Sequence, residues 1–379
     1  LIDRPITVLQ VCSARESIYG AAQGLMSLAK AQRSTGKEVR FVSFAGKKFG
    51  GQVRSHGFDV DEVRVRSKID LLAVVQIARL VKARGIDIVH THLSTSSVVG
   101  GLAARMAGVP CVSTVHGMSG KMSYFPANHL IAVSQGVKKH LEAQKVRAEK
   151  ISVVYNGLDT AFCPLPREEA RRRLGIRSEI PIVGTVSRIT ALKGIDDGLR
   201  AFARLRGEFE GLRYLIVGEG NALAASLELA ESLDVADSVD FVGYRHDVAT
   251  YLSAMDVFLF PSLKEAMGIA LIEAMACALP IVTTNVGGIP EVVSPEAGIL
   301  VGPRQPDALA FACRQVLENP TRALELSAAA KRRSDRLFTA RAMERGTDAV
   351  YRRLLGLQSD AAADSWDEAT TASLVNFGD

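Results

Sequence analysis

The sequence predicts an α/β protein of two successive domains, each a parallel sheet with helices on both faces. Three observations predict it. Short β-branched apolar runs alternate with amphipathic stretches, as buried parallel strands and their crossover helices require. The alternation pauses once, at 161–166, where Pro164 and Pro166 flank Leu165, and then restarts. The chain has 379 residues, more than one ordinary core organises.

In the first half the strand candidates are 6–12, 39–44, 87–92, 110–116, 130–134 and 151–155, with helices at 24–34, 71–84 and 95–107. After the linker, strands are expected at 181–186, 213–217, 239–243, 256–261, 280–284 and 298–301, with helices at 195–205 and 265–278. The expected organisation is a domain over 1–160, a second over 167–338, a helix over 339–357 packing back toward the first domain, and a disordered tail over 358–379. The tail carries no Lys or Arg and is rich in Ala, Ser, Thr and Asp.

Composition narrows the class. Apolar residues make up 47% and charged residues 23%, as in globular proteins. The chain starts at Leu1, and 1–12 reads as a strand, not as a secretion signal. The most apolar long stretch, 269–282, is interrupted by Glu273 and Pro280, so no membrane span is expected. Five cysteines (Cys12, Cys111, Cys163, Cys277 and Cys313) lack C-x-x-C spacing, which favours reduced, mostly buried thiols and a cytoplasmic protein. Residues 1–160 hold 22 Lys/Arg against 11 Asp/Glu, a net of +11, and the remainder is net −6. A basic first half points to an anionic partner. The basic residues lack aromatic interleaving, which argues against nucleic acid.

The most informative segment is 261–273, PSLKEAMGIALIE. A strand ends in Pro-Ser, a loop follows, and a helix is expected to start near Ala266 or Met267. In a continuous helix Glu265 and Glu273 would lie roughly 12 Å apart along the axis, too far to share a proton or a metal ion. That span suits a nucleotide sugar. The first-turn amides of Met267, Gly268 and Ile269 can bind a diphosphate at the positive end of the helix, with Glu265 on the sugar and Glu273 on the ribose. The alternative is a surface helix with two solvated glutamates.

Here the chain resembles glycosyltransferase family 4, whose motif has two glutamates separated by seven residues. Glu265 and Glu273 fit it, as do Leu279-Pro280, Gly287-Gly288, Pro290 and Glu291. The resemblance extends to about Leu355 and implies the GT-B fold, two Rossmann-like domains with parallel sheets facing across a cleft. It implies retention of anomeric configuration, a UDP-sugar as the expected donor and no metal or other cofactor.

Other residues take roles from that resemblance. Arg188 and Lys193, in VSRITALKG after a strand, would hold the diphosphate as it departs; Ser187 stands where the family usually has Gly. Gly20, in Tyr19-Gly20-Ala21, takes the place of a usual Gly-Gly pair in the first loop. His116 closes a strand before Gly117 and would touch the donor sugar near the reacting bond. His90 and His92 carry no matching role and read as structural or acceptor-facing. Glu219, in Gly218-Glu219-Gly220, would lie near the donor, and Tyr244 would lie by the base. The catalytic set expected is therefore Glu265, His116, Arg188 and Lys193. Asp59-Val60-Asp61 matches a metal-binding D-x-D but sits in an alternating strand pattern with solvent-facing carboxylates, so a metal role is rejected.

The resemblance also suggests an acceptor that is a lipid-linked saccharide of surface polysaccharide or lipopolysaccharide synthesis. A contact between the basic first half and the inner face of the membrane would go with it. Two other functions fit the same fold, a nucleotide-sugar epimerase and a nucleotide-binding module without catalysis. An NAD-dependent dehydrogenase fits less well, because no complete glycine fingerprint follows the first strand.

Overall fold

The computed structural model describes residues 4–14 and 20–358. The tail expected over 358–379 therefore lies outside the described residues except for Gln358, as does Tyr19. The chain divides into two compact units, Leu1–Asp159 with Thr339–Asp379, and Thr160–Phe338.

The first unit holds seven strands: β1 (Thr7–Cys12), β2 (Glu38–Phe44), β3 (Asp59–Val63), β4 (Ile88–His92), β5 (Cys111–Val115), β6 (His129–Ala132) and β7 (Ile151–Val153). They form one sheet in the order β3-β2-β1-β4-β5-β6-β7, parallel throughout. Every residue of β1, β4, β5 and β6 is buried, which is why these strands read as continuous apolar runs. Its helices are α1 (Ala21–Ser34), α2 (Lys48–Ser55), α3 (Leu71–Ala83), α4 (Ser94–Ala107) and α5 (Gln135–Ala143). In α3 the buried residues Ala73, Val74, Ile77, Ala78 and Val81 recur at helical spacing, and Asp70 caps the amino end by accepting from the Ala73 amide.

The second unit holds β8 (Ile182–Val186), β9 (Arg213–Val217), β10 (Val239–Gly243), β11 (Val257–Phe260), β12 (Ile281–Thr284) and β13 (Ile299–Val301). The sheet runs β10-β9-β8-β11-β12-β13, again parallel. Its helices are α6 (Arg167–Leu174), α7 (Ile195–Leu205), α8 (Leu223–Ser232), α9 (Val248–Ala254), α10 (Ile269–Ala276), α11 (Ile289–Val292), α12 (Pro306–Glu318) and α13 (Pro320–Leu337).

The chain then re-enters the first unit as α14 (Ala340–Leu355), capped by Thr339. Its Met343, Val350 and Tyr351 pack with Val8, Leu28, Ile88 and Val112. Lys37 pairs with Glu344 at 2.6 Å and with Asp348 at 2.8 Å. Gly157 lies so close to this junction that a β-carbon there would sit 2.1 Å from the Thr339 carbonyl oxygen.

Two expectations are corrected. The helix predicted from Ala266 or Met267 starts at Ile269, because Gly268 adopts φ 92, outside helical geometry. The other end is shorter too: α10 stops at Ala276 and Ala278 has φ 53.

In each sheet the strand order runs outward from a central pair, β1 and β4 in one and β8 and β11 in the other. The loops leaving such a pair diverge to opposite faces and open a crevice at the carboxyl edge, where open parallel sheets bind ligands.

Candidate active site

In the second unit the switch-point loops carry Arg188 and Lys193 after β8, and Glu265 through Ile269 after β11. The two loops are laced by their backbones: the Leu263 amide donates to the Leu192 carbonyl at 2.9 Å. Lys193 and Glu265, 72 residues apart in sequence, form a direct ion pair through Nζ and Oε2. Their side chains are only 15% and 13% exposed, so the pair is largely withdrawn from water. Lys193 Nζ also lies 5.5 Å from the centre of the Phe260 ring. Arg188 is exposed, and no side-chain partner engages its guanidinium among the described residues.

Behind Glu265 the backbone is tightly held. The Gly288 amide donates to the Glu265 carbonyl at 3.2 Å, and a β-carbon at Gly287 would lie 1.8 Å from that oxygen. Gly287 has φ 58, so only glycine meets both demands. The Gly287-Gly288 pair thus sets where Glu265 stands.

The later helix start changes the role of the amides. Met267 and Gly268 are buried and precede α10, and Ile269 is its first residue. The amino-terminal amides of α10 therefore begin at Ile269, not at Met267. Glu273 is 5% exposed on α10, so the solvated-glutamate alternative fails for both carboxylates. Glu219 and Tyr244 meet at the ends of β9 and β10: the Tyr244 amide donates to Glu219 Oε1 at 3.3 Å, and Tyr244 Oη bonds His246 Nδ1 at 2.9 Å.

In the first unit Gly20 precedes α1 with φ 45. His116 directly follows β5, and its Nε2 bonds His92 Nδ1 at 3.0 Å. His116 Nδ1 is buried without a hydrogen-bond partner among the described residues. Burial lowers its pKa to about 4 and that of His90 to about 3, and drives His92 well below its ordinary value. All three rings are neutral at physiological pH. His90 and His92 are fully interior, so the acceptor-facing option for them falls.

Sequence reasoning missed Gln10, Gln32 and Tyr351, whose polar ends join this histidine group. The signal was a glutamine in the middle of TVLQVC, since a polar side chain in a strand buried on both faces must have a partner. Asp59 and Asp61 are met by cations, Asp59 by Arg40 at 2.9 Å and Asp61 by Arg84 at 3.8 Å. Cys12, Cys111, Cys277 and Cys313 are free thiols pushed up to about 12 by burial, and Cys163 is free and exposed. Among the described residues no helix is long and apolar enough to cross a membrane.

Known proteins share this fold. HepE of Anabaena, solved in complex with UDP and glucose, superposes with a TM-score of 0.83 at 21% identity, covering 92% of this chain and 100% of that one. A glycosyltransferase from Rickettsia africae gives 0.82 at 23% identity over 93% and 99%. These likenesses establish the two-domain GT-B fold. In sequence, a D-inositol 3-phosphate glycosyltransferase of Kineococcus radiotolerans is 31% identical over 314 residues, 71% of this chain and 72% of that protein. An N-acetyl-alpha-D-glucosaminyl L-malate synthase of Bacillus anthracis is 28% identical over 300 residues, 73% and 78%. Residues 18–162 match the description "Glycosyltransferase Family 4", and residues 166–333 match "Glycosyl transferases group 1". The chain belongs to glycosyltransferase family 4 and is a glycosyltransferase of the GT-B fold.

Proposed function

We propose that the protein transfers a sugar from a nucleotide diphosphate donor, a UDP-sugar, to an acceptor hydroxyl with retention of configuration and without a metal ion. The observation that carries this reading is the Lys193–Glu265 pair at the switch point, beside the start of α10. With donor bound, Lys193 exchanges Glu265 for phosphate oxygens and Glu265 accepts hydrogen bonds from the sugar hydroxyls. Arg188, Lys193 and the first amides of α10 stabilise the charge that develops on the leaving diphosphate. Glu273 serves the ribose, Tyr244 and Glu219 border the base, Gly20 lets the phosphates approach, and His116 meets the donor sugar. The acceptor hydroxyl attacks on the face the phosphate leaves, and the departing phosphate takes its proton.

Hydrolysis of a panel of nucleotide sugars identifies the donor. Activity in excess EDTA, together with an NMR assignment of the product anomer, tests the rest. Loss of turnover in EDTA with rescue by magnesium or manganese would end the metal-free reading. An inverted product would end the retaining one. Sugar isomerisation without a second substrate would favour an epimerase.

The acceptor we propose is lipid-linked and is met at an anionic membrane surface. Ile69, Leu71 and Leu72 are 67%, 70% and 72% exposed, beside exposed Arg64, Arg66 and Lys68. Asp70 pins this segment by accepting from the Arg66 amide at 2.9 Å and the Ala73 amide. The segment follows β3, at the same carboxyl edge of the sheet as His116. Apolar side chains ringed by cations suit a headgroup boundary, where each cation contributes about 1 kcal/mol. Co-sedimentation with anionic vesicles at low salt, lost in a Leu71→Ser/Leu72→Ser variant and at 1 M salt, is expected. Equal recovery in the supernatant with anionic and neutral vesicles would end the proposal.

A further inference from the structure

The polar groups behind His116 form one continuous chain. His116 Nε2 bonds His92 Nδ1 at 3.0 Å, and His92 Nε2 bonds Gln10 Oε1 at 2.9 Å. Gln10 Nε2 donates to Gln32 Oε1 at 2.9 Å, and Gln32 Nε2 donates to Tyr351 Oη at 3.1 Å. Tyr351 Oη bonds His90 Nδ1 at 2.6 Å, and His90 Nε2 bonds Thr114 Oγ1 at 2.7 Å. The chain draws on β1, β4, β5, α1 and α14, and its members behind His116 are all buried.

A neutral imidazole has one N–H, so each ring donates at one nitrogen and accepts at the other. Burial keeps these rings neutral. The two amides then give the chain a direction. Gln10 presents its oxygen to His92, so His92 carries its proton on Nε2 and accepts at Nδ1. His116 must then donate from Nε2. At the other end Gln32 donates to Tyr351, which donates to His90, which donates to Thr114. Between His116 and Tyr351, reversing any one link requires the other links to turn as well.

We infer that this one-directional relay holds His116 as its Nε2–H tautomer, so that bare Nδ1 accepts a hydrogen bond from a sugar hydroxyl. Nδ1 is one of five buried side-chain polar atoms that the described residues leave without a hydrogen-bond partner, and it is the one that ends this chain; a buried acceptor without a partner marks the place of a donor. Gln10, Gln32, His92 and Tyr351 are positioning residues that act through His116. The tautomer follows from the relay alone, and the hydroxyl contact rests on the proposed role of His116 in donor binding.

Long-range ¹H–¹⁵N spectra of the ¹⁵N-histidine-labelled full chain read the tautomer without substrate, with His116→Ala assigning the signals. The expected result is a protonated Nε2 and a pyridine-like Nδ1 for His116. In Tyr351→Phe, which removes a single oxygen, and in Gln10→Leu, the two nitrogen shifts should move toward each other. A protonated Nδ1 in the wild type, or unchanged His116 shifts in both variants, would overturn the inference. With the nucleotide sugar that the donor panel selects, Tyr351→Phe should lower kcat several-fold and leave KM nearly unchanged. That loss should vanish in the His116→Ala background. A loss that persists there assigns Tyr351 to packing and removes it from the relay. Wild-type turnover by His116→Ala with the relay spectrum intact would instead remove His116 from the donor site and leave the tautomer standing.

Discussion

The two units solve one structural problem with opposite chemistry. Both place their candidate residues at the carboxyl edge of a doubly wound parallel sheet. The first unit does so with neutral, desolvated polar groups: two histidines, two glutamines and a tyrosine deep in its core, with half-buried His116 at their end. The second uses charge, with Lys193 against Glu265 and an exposed Arg188. A neutral buried network fixes orientation and costs little electrostatically while every link is made. A partly buried ion pair stores charge that a bound diphosphate can redirect. The first arrangement suits aiming a hydrogen bond, and the second suits stabilising a leaving group.

The sharpest way to break this contrast is acid, and its expected effect is the largest. His90, His92, His116 and His129 all have folded-state pKa values below the ordinary value, chiefly through burial. A depressed folded-state value means that the unfolded chain binds the proton first. Stability is therefore complete above pH ~6.5 and is lost as pH falls from there toward 4, at about 1.4 kcal/mol per pH unit for each histidine. Six of the seven histidines lie in the first unit, and the second has only His246. Hydrogen exchange followed by mass spectrometry from pH 7 to 5 should show protection falling in β1, β4 and β5 before β8 and β11. Simultaneous loss in both units would show that the histidine network does not control acid stability.

The second expected effect is on rate. Glu265→Ala and Lys193→Ala should each lower turnover by ~10²–10³, as loss of a charge-stabilising group commonly does. Each leaves its former partner partly buried and unpaired, so a lower Tm is also expected, with the fold retained. Circular dichroism and thermal melts separate the two effects. Wild-type turnover in a folded variant would remove that residue from the site. A Gln at 265 keeps a hydrogen-bond acceptor and loses the charge, so it reports which of the two matters.

How far the sequence foretold these sites depended on whether a residue's partners are close along the chain. The strands 213–217 and 239–243 and the helix 195–205 were predicted with the observed bounds, because periodicity and propensity are local. Glu265, Arg188 and Lys193 stood out by their placement after strands. Their mutual contact was not legible, since it depends on β8 and β11 being neighbours in the sheet although β9 and β10 lie between them in the chain. The start of α10 was misplaced because PSLKEAMGIALIE has good helix formers before Gly268, and the glycine's φ overrides them. The relay was least legible, because Tyr351 meets Gln32 across 319 residues of sequence.

Gly287 tests whether the charged site depends on fixed backbone as closely as the neutral one depends on fixed side chains. A β-carbon there meets the Glu265 carbonyl oxygen at 1.8 Å, and φ 58 disfavours any other residue. The conformation alone costs about 1–2 kcal/mol in Gly287→Ala, and the clash adds to it unless the 265–268 loop moves. If the loop moves, the stability loss stays near that value, while turnover falls because Glu265 and Lys193 no longer stand together. If it holds, the Tm drops further and residual activity per folded molecule stays near the wild type. Measuring Tm and kcat on the same preparation separates the two. An unchanged Tm with unchanged kcat would mean that Gly287 does not position Glu265, and that the ion pair with Lys193 suffices to hold the carboxylate.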